Sequence, residues 1–252
     1  MSLGPIAGAV QSRLEAWEAD GIARRIWARD PTVWAETDLP ELSDRLGWLS
    51  LPDEMAAATA DLEAFAAEIA GEGVRFVVLL GMGGSSLAPE VFQSTFGNAE
   101  GRPELIVLDS THPGAVQDVD ARIDLSDTLF LVASKSGTTL ETLSFLRHFW
   151  NRLVVEGLPQ GAHFAALTDP GSALEDLAAE RGFRRVFHTP PDVGGRYSAL
   201  TFFGLVPAAL IGADIGAILL AAAVRAAASR GSAQDNPGLQ LGAAWGEAAL
   251  AG

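Results

Sequence analysis

The chain has 252 residues, with 32 acidic side chains against 17 basic ones and a formal net charge of −15 at pH 7. So acidic a protein repels nucleic acid and anionic membranes, and we expect neither as a partner. There is no cysteine, which excludes disulfides, thiolate catalysis and cysteine-ligated metals. Length predicts one large domain or two small ones, and the absence of a visible secretory signal favours the cytoplasm.

Residues 1–73 are helical in pattern and strongly acidic, and we interpret them as an N-terminal helical extension. Helices are predicted over 8–20 and 54–71. Four tryptophans occur in this segment, and we expect them to pack the helical layer onto a larger body; they are Trp17, Trp27, Trp34 and Trp48.

From residue 74 onward, short apolar runs alternate with helical patterns. The runs lack polar alternation, which is typical of strands buried on both faces. Strand–helix alternation predicts a parallel sheet with crossover helices. The predicted strands cover 75–80, 104–109, 128–133, 163–168 and 184–188, and the predicted helices cover 86–96, 114–122, 138–156 and 171–181.

Residues 198–251 return to apolar helices. The stretch 199–228 is long enough to cross a bilayer, but Pro207 and Asp214 interrupt it, so we predict two buried helices split near Gly212. A further break is predicted at 235–237. We divide the chain into the extension 1–73, a sheet domain 74–212 and a helical segment 213–252.

Three loops follow predicted strands at the sheet edge where ligands bind in open α/β folds. In 81–86, glycines allow the backbone to approach a phosphate at a helix N-terminus. No Walker lysine follows, and Ser86 replaces the last glycine of the dinucleotide pattern, so nucleotide binding is disfavoured. The structural alternative for this loop is a simple tight turn.

The loop 134–139 holds four hydroxyls and Lys135, the only lysine in the chain. Hydroxyls, an ammonium and helix N–H groups together are suited to phosphate. The alternative is that Ser136 or Thr138 serves only as an N-cap. Whether Lys135 contacts phosphate directly or supports the loop stays open. In the third loop, 192–198, Arg196 can stabilise an anionic intermediate, with a surface salt bridge as the alternative.

In this order, the motifs G-M-G-G-S, S-K-S-G-T-T-x-E-T and G-G-R-Y-S resemble the glucose-6-phosphate isomerase family. The acidic helical lead more loosely resembles the isomerase part of bacterial transaldolase–isomerase fusions. The resemblance implies a flavodoxin-like α/β sugar-isomerase (SIS) domain, with a five-stranded parallel sheet flanked by helices and helical extensions at both ends. It also implies interconversion of glucose 6-phosphate and fructose 6-phosphate through a cis-enediolate, without a metal or organic cofactor, in a homodimer.

The resemblance also assigns roles to particular residues. Arg196 is implied to stabilise the enediolate, and Glu141 to support the ring-opening histidine. The substrate-phosphate site is implied to comprise Gly83, Gly84, Ser85, Ser134, Lys135, Ser136 and Thr139.

In the family that the chain resembles, the base glutamate, the ring-opening histidine and a late lysine lie in a second SIS domain and a C-terminal tail, which we expect beyond Gly252. Glu247 is expected to be a solvated helix residue rather than the base. Structural roles are expected for His112, His148, His163 and His188. The alternative function is a stand-alone SIS module that binds sugar phosphates for regulation without catalysis.

Overall fold

The computed structural model describes residues 3–252. Four helices precede the sheet, namely α1 (Ala7–Ala19), α2 (Ile22–Trp27), α3 (Leu51–Ala56) and α4 (Thr59–Gly71). The predicted single helix over 54–71 is wrong, because the chain instead forms α3 and α4 with a break between them. Between α2 and α3 the chain makes only short turns of 3-10 helix.

Five parallel strands form one sheet in the order β2-β1-β3-β4-β5. This is the flavodoxin-like order, in which successive strands are joined by crossover helices. The strands and helices in chain order are β1 (Phe76–Gly81), α5 (Gly84–Phe96), β2 (Glu104–Leu108), α6 (Pro113–Arg122), β3 (Thr128–Ala133), α7 (Leu140–Glu156), β4 (Phe164–Thr168), α8 (Ala173–Glu180) and β5 (Arg185–His188). The predicted five-stranded parallel α/β fold is confirmed.

The sheet is buried on both faces because alternate strand residues enter opposite cores. Leu79 and Leu131 pack in the core that contains α3 and α4, while Leu80 and Phe130 pack in the core formed with α6, α7 and α8. Phe130 stacks on Phe149 of α7 with ring centroids 4.6 Å apart. Each such fully buried side chain contributes about 1.5–3 kcal/mol of hydrophobic stabilisation.

The C-terminal part consists of α9 (Phe202–Leu210), α10 (Ile215–Ala228) and α11 (Pro237–Ala251). The predicted split near Gly212 is confirmed, since Gly212 has a φ of +83° between α9 and α10. The prediction that both helices are buried is wrong for α10, in which only Ile215 and Leu219 are buried because α10 packs on one face alone. The side chain of Asp214 then caps α10 by accepting from the N–H of Ala217 at 2.8 Å. Within residues 3–252, none of the helices combines the length and apolar character that crossing a membrane requires.

Helices α1 and α11 form a small separate core around Val10, Leu14 and Ala243. Arg13 of α1 donates to the Glu247 carboxylate at 2.7 Å. The expectation that Glu247 is a solvated helix residue is therefore wrong: it ties the two helices together, and its side chain is only 13% exposed.

The tryptophan expectation holds only in part. Trp17 and Trp27 are half-buried, but Trp34 is 49% exposed and Trp48 is 37% exposed. The reason is that 31–50 is not a helical layer with a single buried face. Trp48 instead stacks on Tyr197, with ring centroids 5.6 Å apart.

Candidate functional site

The loops after β1 and β5 meet at the carboxyl edge of the sheet, backbone against backbone. A Cβ atom placed on Gly84 would lie 2.6 Å from the Cα of Gly195. The Ser198 hydroxyl donates to the Gly195 carbonyl at 2.7 Å and to the Gly84 carbonyl at 3.3 Å. Only residues without a side chain permit this approach, so the two glycine-rich motifs join these loops.

A cavity of about 520 Å³ opens beside this contact, and five of the seven residues implied for a phosphate site line it. They come from the loops after β1 and β3, so the structure brings together motifs about fifty positions apart in the chain. Its lining residues are Arg45, Gly84, Ser85, Lys135, Ser136, Thr139, Asp169, Pro191 and Gly195.

A second cavity of about 540 Å³ adjoins the first and includes Arg196. Arg196 is exposed, and no ion pair among residues 3–252 includes it, so the surface salt bridge considered as its alternative does not form. The two cavities are neighbours, because four residues line both of them; these are Arg45, Gly84, Lys135 and Gly195.

Lys135 fastens the loops together. Its ammonium pairs with the Asp169 carboxylate and donates to the Pro191 carbonyl at 2.8 Å. Asp169 also accepts from the Thr189 hydroxyl at 2.6 Å. In this structure, Lys135 therefore supports the loops after β3, β4 and β5 while it lines the cavity.

The hydroxyls of the loop after β3 divide into two sets. Ser134 is buried, where it accepts from the Gly137 N–H at 3.1 Å and hydrogen-bonds to the Thr139 hydroxyl at 3.0 Å. Ser136 accepts from the Thr138 N–H at 3.3 Å, but the N-cap of α7 is Thr139, whose side chain makes no capping bond, so the alternative that Ser136 or Thr138 caps the helix is wrong. Ser136 and Thr139 line the cavity as well, whereas Ser134 shapes the loop behind it.

Gly137 allows this loop to pack tightly. Its φ is +71°, and a Cβ atom there would lie 2.3 Å from the backbone nitrogen of Leu174 in α8. The loop therefore leads into α7 at a fixed angle, with the half-buried Thr139 at the helix start, next to the unpaired N–H groups of the first turn.

Three of the implied site residues line neither cavity. They are Gly83, Ser134 and Glu141. In the loop after β1, the N–H groups of Ser85 and Ser86 already donate to Met82 and Gly83 carbonyls, at 3.2 and 3.0 Å. The Ser85 side chain, rather than its amide, is thus the group this residue offers to the cavity.

Sequence reasoning missed the contribution of the segment 31–50. Leu46 forms an antiparallel bridge with Val193, and the Gly47 N–H donates to the Asp192 carbonyl at 3.0 Å. This places Arg45 and Glu41 at the cavity. Glu41 hydrogen-bonds the Arg45 guanidinium and raises the pKa of Arg45 above its ordinary value, so Arg45 stays charged.

Asp169 was also missed, although it had a readable signal. It directly follows β4, at the edge where the carboxyl ends of all five strands meet. By contrast, no sequence motif marks Arg45. The four histidines form local contacts, and none of them lines either cavity. Residues 3–252 contain no cluster of potential metal ligands.

The phosphoglucose isomerase family model matches residues 55–233. The chain belongs to this family. Among its phosphoglucose isomerase relatives, the glucose-6-phosphate isomerase of Synechococcus sp. (strain JA-3-3Ab) is 33% identical over 266 residues, which cover 97% of this chain and 47% of that protein. A glucose-6-phosphate isomerase of Thermus thermophilus is 34% identical over 183 residues, covering 72% and 43%.

Solved structures agree with this membership of the phosphoglucose isomerase family. A hypothetical protein from Thermus thermophilus matches with a TM-score of 0.81 and 29% identity, over 95% of this chain and 54% of that one. A glucose-6-phosphate isomerase from Chlamydia trachomatis matches with a TM-score of 0.69 and 27% identity, over 89% and 41%. The chain spans about half the length of the curated relatives it matches.

Proposed function

We propose that the cavity holds the phosphate of a hexose phosphate, and that this chain supplies the phosphate-binding half of a glucose-6-phosphate isomerase site. The observation that carries the proposal is the cavity lining, in which Ser85 lies in the first turn of α5, Ser136 in the loop before α7 and Thr139 at the N-cap of α7, with the cationic side chains of Lys135 and Arg45 beside them. The unpaired N–H groups at the start of α7, the hydroxyls and charge-assisted hydrogen bonds favour a phosphate dianion in such a setting.

In the proposed reaction, phosphate forms and breaks no bond. Its binding energy holds the opened sugar in register. A base removes the proton from the carbon next to the carbonyl, giving a cis-enediolate, and returns it to the neighbouring carbon. Arg196 lines the adjoining cavity without an ion-pair partner among residues 3–252, and we assign it to the developing negative charge.

The base is not evident among the groups that line the cavities. The two carboxylates there, Asp169 and Glu41, are each bound to a cation. We assign the base and the ring-opening histidine to the second SIS domain that the family resemblance implies, with Glu141 supporting that histidine. The isolated chain is therefore expected to turn over slowly or not at all.

A stand-alone module that binds sugar phosphates without catalysis is the second candidate. It is favoured by the same observation, that within residues 3–252 each cavity-lining carboxylate is already paired. The two candidates share the phosphate site and differ in catalysis: the isomerase requires a second SIS domain that supplies the base, whereas the stand-alone module binds the sugar phosphate without turnover.

Association of this chain with itself is also proposed. Helices α10 and α11 expose apolar side chains, among them Leu220 at 67%, Val224 at 58% and Trp245 at 71%. Exposed apolar surface favours association, and the family resemblance implies a homodimer. Light scattering at rising concentration tests this, and a strict monomer would contradict it.

Titration calorimetry with 6-phosphogluconate tests the phosphate site, with gluconate as the matched ligand that lacks phosphate. We expect 6-phosphogluconate alone to bind, and Ser136→Ala and Thr139→Val to weaken it. Absence of binding would refute the phosphate site. An isomerase assay coupled to glucose-6-phosphate dehydrogenase tests the division of labour, since rapid turnover by this chain alone would place the base within it.

A further inference from the structure

Arg45 belongs to none of the sequence motifs, yet it lines both cavities. Glu41 binds it in a fork: Arg45 Nε donates to Oε2 at 3.0 Å, and Nη2 donates to Oε1 at 2.8 Å. The third nitrogen, Nη1, donates to the Pro191 carbonyl at 3.4 Å. The guanidinium is thus held at the cavity wall by a carboxylate from its own segment.

Arg45 and Lys135 converge on one atom. The Pro191 oxygen accepts from Lys135 Nζ at 2.8 Å as well as from Arg45. Two cationic groups therefore lie within 3.4 Å of a single oxygen at the cavity wall. Lys135 is paired with Asp169, and Arg45 is paired with Glu41 and, at 3.8 Å, with the exposed carboxylate of its neighbour Asp44.

The two ion pairs differ in how firmly they are held. The Asp169 side chain is 18% exposed and also accepts from Thr189, so Lys135 cannot leave without uncovering a partly buried carboxylate. The Glu41 side chain is 68% exposed. Exposed ion pairs contribute only about 0–1 kcal/mol, so Arg45 can exchange its partner at small cost.

We propose that Arg45 is a further substrate-binding residue, which passes from Glu41 to the phosphate when a sugar phosphate enters, and that Glu41 is an internal competitor of that phosphate. The inference rests on the phosphate site proposed above. A guanidinium fork fits phosphate oxygens as well as it fits a carboxylate. An incoming dianion presents more charge than the monovalent Glu41 carboxylate, which favours the exchange.

The segment that carries Arg45 is mounted on the loop after β5 rather than left free. Besides the bridge from Leu46 to Val193, Arg29 Nη1 donates to Asp192 Oδ2 at 2.7 Å. A Cβ atom on Gly47 would overlap the Asp192 carboxylate, so a larger residue here would displace that carboxylate from Arg29. These contacts fix the backbone of Arg45 beside the cavity, so only its side chain needs to move for Arg45 to exchange Glu41 for phosphate.

Calorimetry on the intact chain tests the exchange, with 6-phosphogluconate and inorganic phosphate as probes. Loss of a charge-assisted hydrogen bond predicts that Arg45→Met weakens binding of both about tenfold or more. Glu41→Gln removes the competitor and is expected to strengthen binding by up to about fivefold. In the Arg45→Met background, Glu41→Gln should change nothing.

Arg122→Met is the matched control, because Arg122 pairs with Glu104 at the amino end of β2, at the opposite edge of the sheet. It should bind like wild type. Arg45→Lys keeps the charge without the fork and should lose part of the affinity, which preserves the test if the methionine variant unfolds.

Three results would count against the inference, and they differ in what they leave standing. If Arg45→Met binds like wild type while Ser136→Ala loses affinity, the cavity holds phosphate without Arg45. If the wild-type chain binds neither probe, the inference falls together with the proposed function. Weaker binding by Glu41→Gln would also refute the role of Glu41 as a competitor.

Discussion

Gly84→Ala tests the backbone contact that joins the loops after β1 and β5. The new methyl group would lie 2.6 Å from Gly195 Cα and 2.9 Å from its carbonyl oxygen. Because carbon atoms pack at about 3.5 Å or more, the two backbones must separate by about 1 Å. Overpacking of this kind costs about 1–3 kcal/mol. At about 2 kcal/mol, the unfolding temperature of a chain this long falls by about 4–8 °C.

Binding is expected to suffer more than stability, because the displaced loops carry groups on both sides of the cavity. Misplacement by about 1 Å can reduce function up to about a hundredfold, and we expect 6-phosphogluconate affinity to fall at least tenfold. Thermal unfolding followed by circular dichroism, together with calorimetry on the same samples, measures both effects.

Alanine substitutions at two further glycines serve as comparisons for the loss of stability and binding expected of Gly84→Ala. A Cβ atom on Gly195 would lie 3.2 Å from Gly84 Cα, so Gly195→Ala should be milder than Gly84→Ala. Gly246 in α11 has nothing within 4 Å of its Cβ position, and Gly246→Ala should stabilise the helix by about 0.5–1 kcal/mol without affecting binding. If Gly84→Ala behaves like Gly246→Ala, the loops are not joined at this contact and the reasoning is refuted.

Three more variants test other parts of the structure. Lys135→Ala leaves the carboxylate of Asp169 without its cation, so the free energy of unfolding should fall by about 1–3 kcal/mol. The same variant should bind 6-phosphogluconate more weakly. Unchanged stability in urea denaturation would show that the ion pair does not stabilise the fold. Thr142 is buried, and its hydroxyl has no hydrogen-bond partner within residues 3–252. Thr142→Val should therefore raise the free energy of unfolding by about 1–2 kcal/mol. A lower melting temperature in scanning calorimetry would contradict this. The hydrogen bond from Arg184 lowers the pKa of Glu72 below its ordinary value, so this ion pair stabilises the fold above the ordinary pKa and the stabilisation is lost as pH falls through the lowered pKa. Glu72→Gln should therefore make the melting temperature fall less steeply with acidification. A pH profile identical to that of the wild type would contradict this.

The sheet was predictable because its pattern is local and repetitive. β3 matches its predicted range, 128–133, since all six residues are apolar or buried and the flanking residues are polar. The other strands differ from prediction by one or two residues at their ends. The motif loops were placed correctly at the carboxyl edge because the parallel topology leaves no other position for them.

The segment 31–50 was not predictable, because contacts distant in sequence fix its course. Arg45 reaches Pro191, which lies 146 positions later, and Glu41 has a φ of +72° that its residue type disfavours. Local propensity carries no information on either. Lys135 shows the same limit: its type and position indicated the site, while its engagement by Asp169 depended on where β4 ends.

The solitary lysine gives the protein a built-in chemical reporter. An amine-selective acylating reagent has one side chain to modify, that of Lys135, which is only 27% exposed. Its labelling rate, measured by peptide mass spectrometry, reports how often the contacts of Lys135 with Asp169 and Pro191 break. No residue needs to be engineered, and the same readout follows protection by any molecule that fills the cleft.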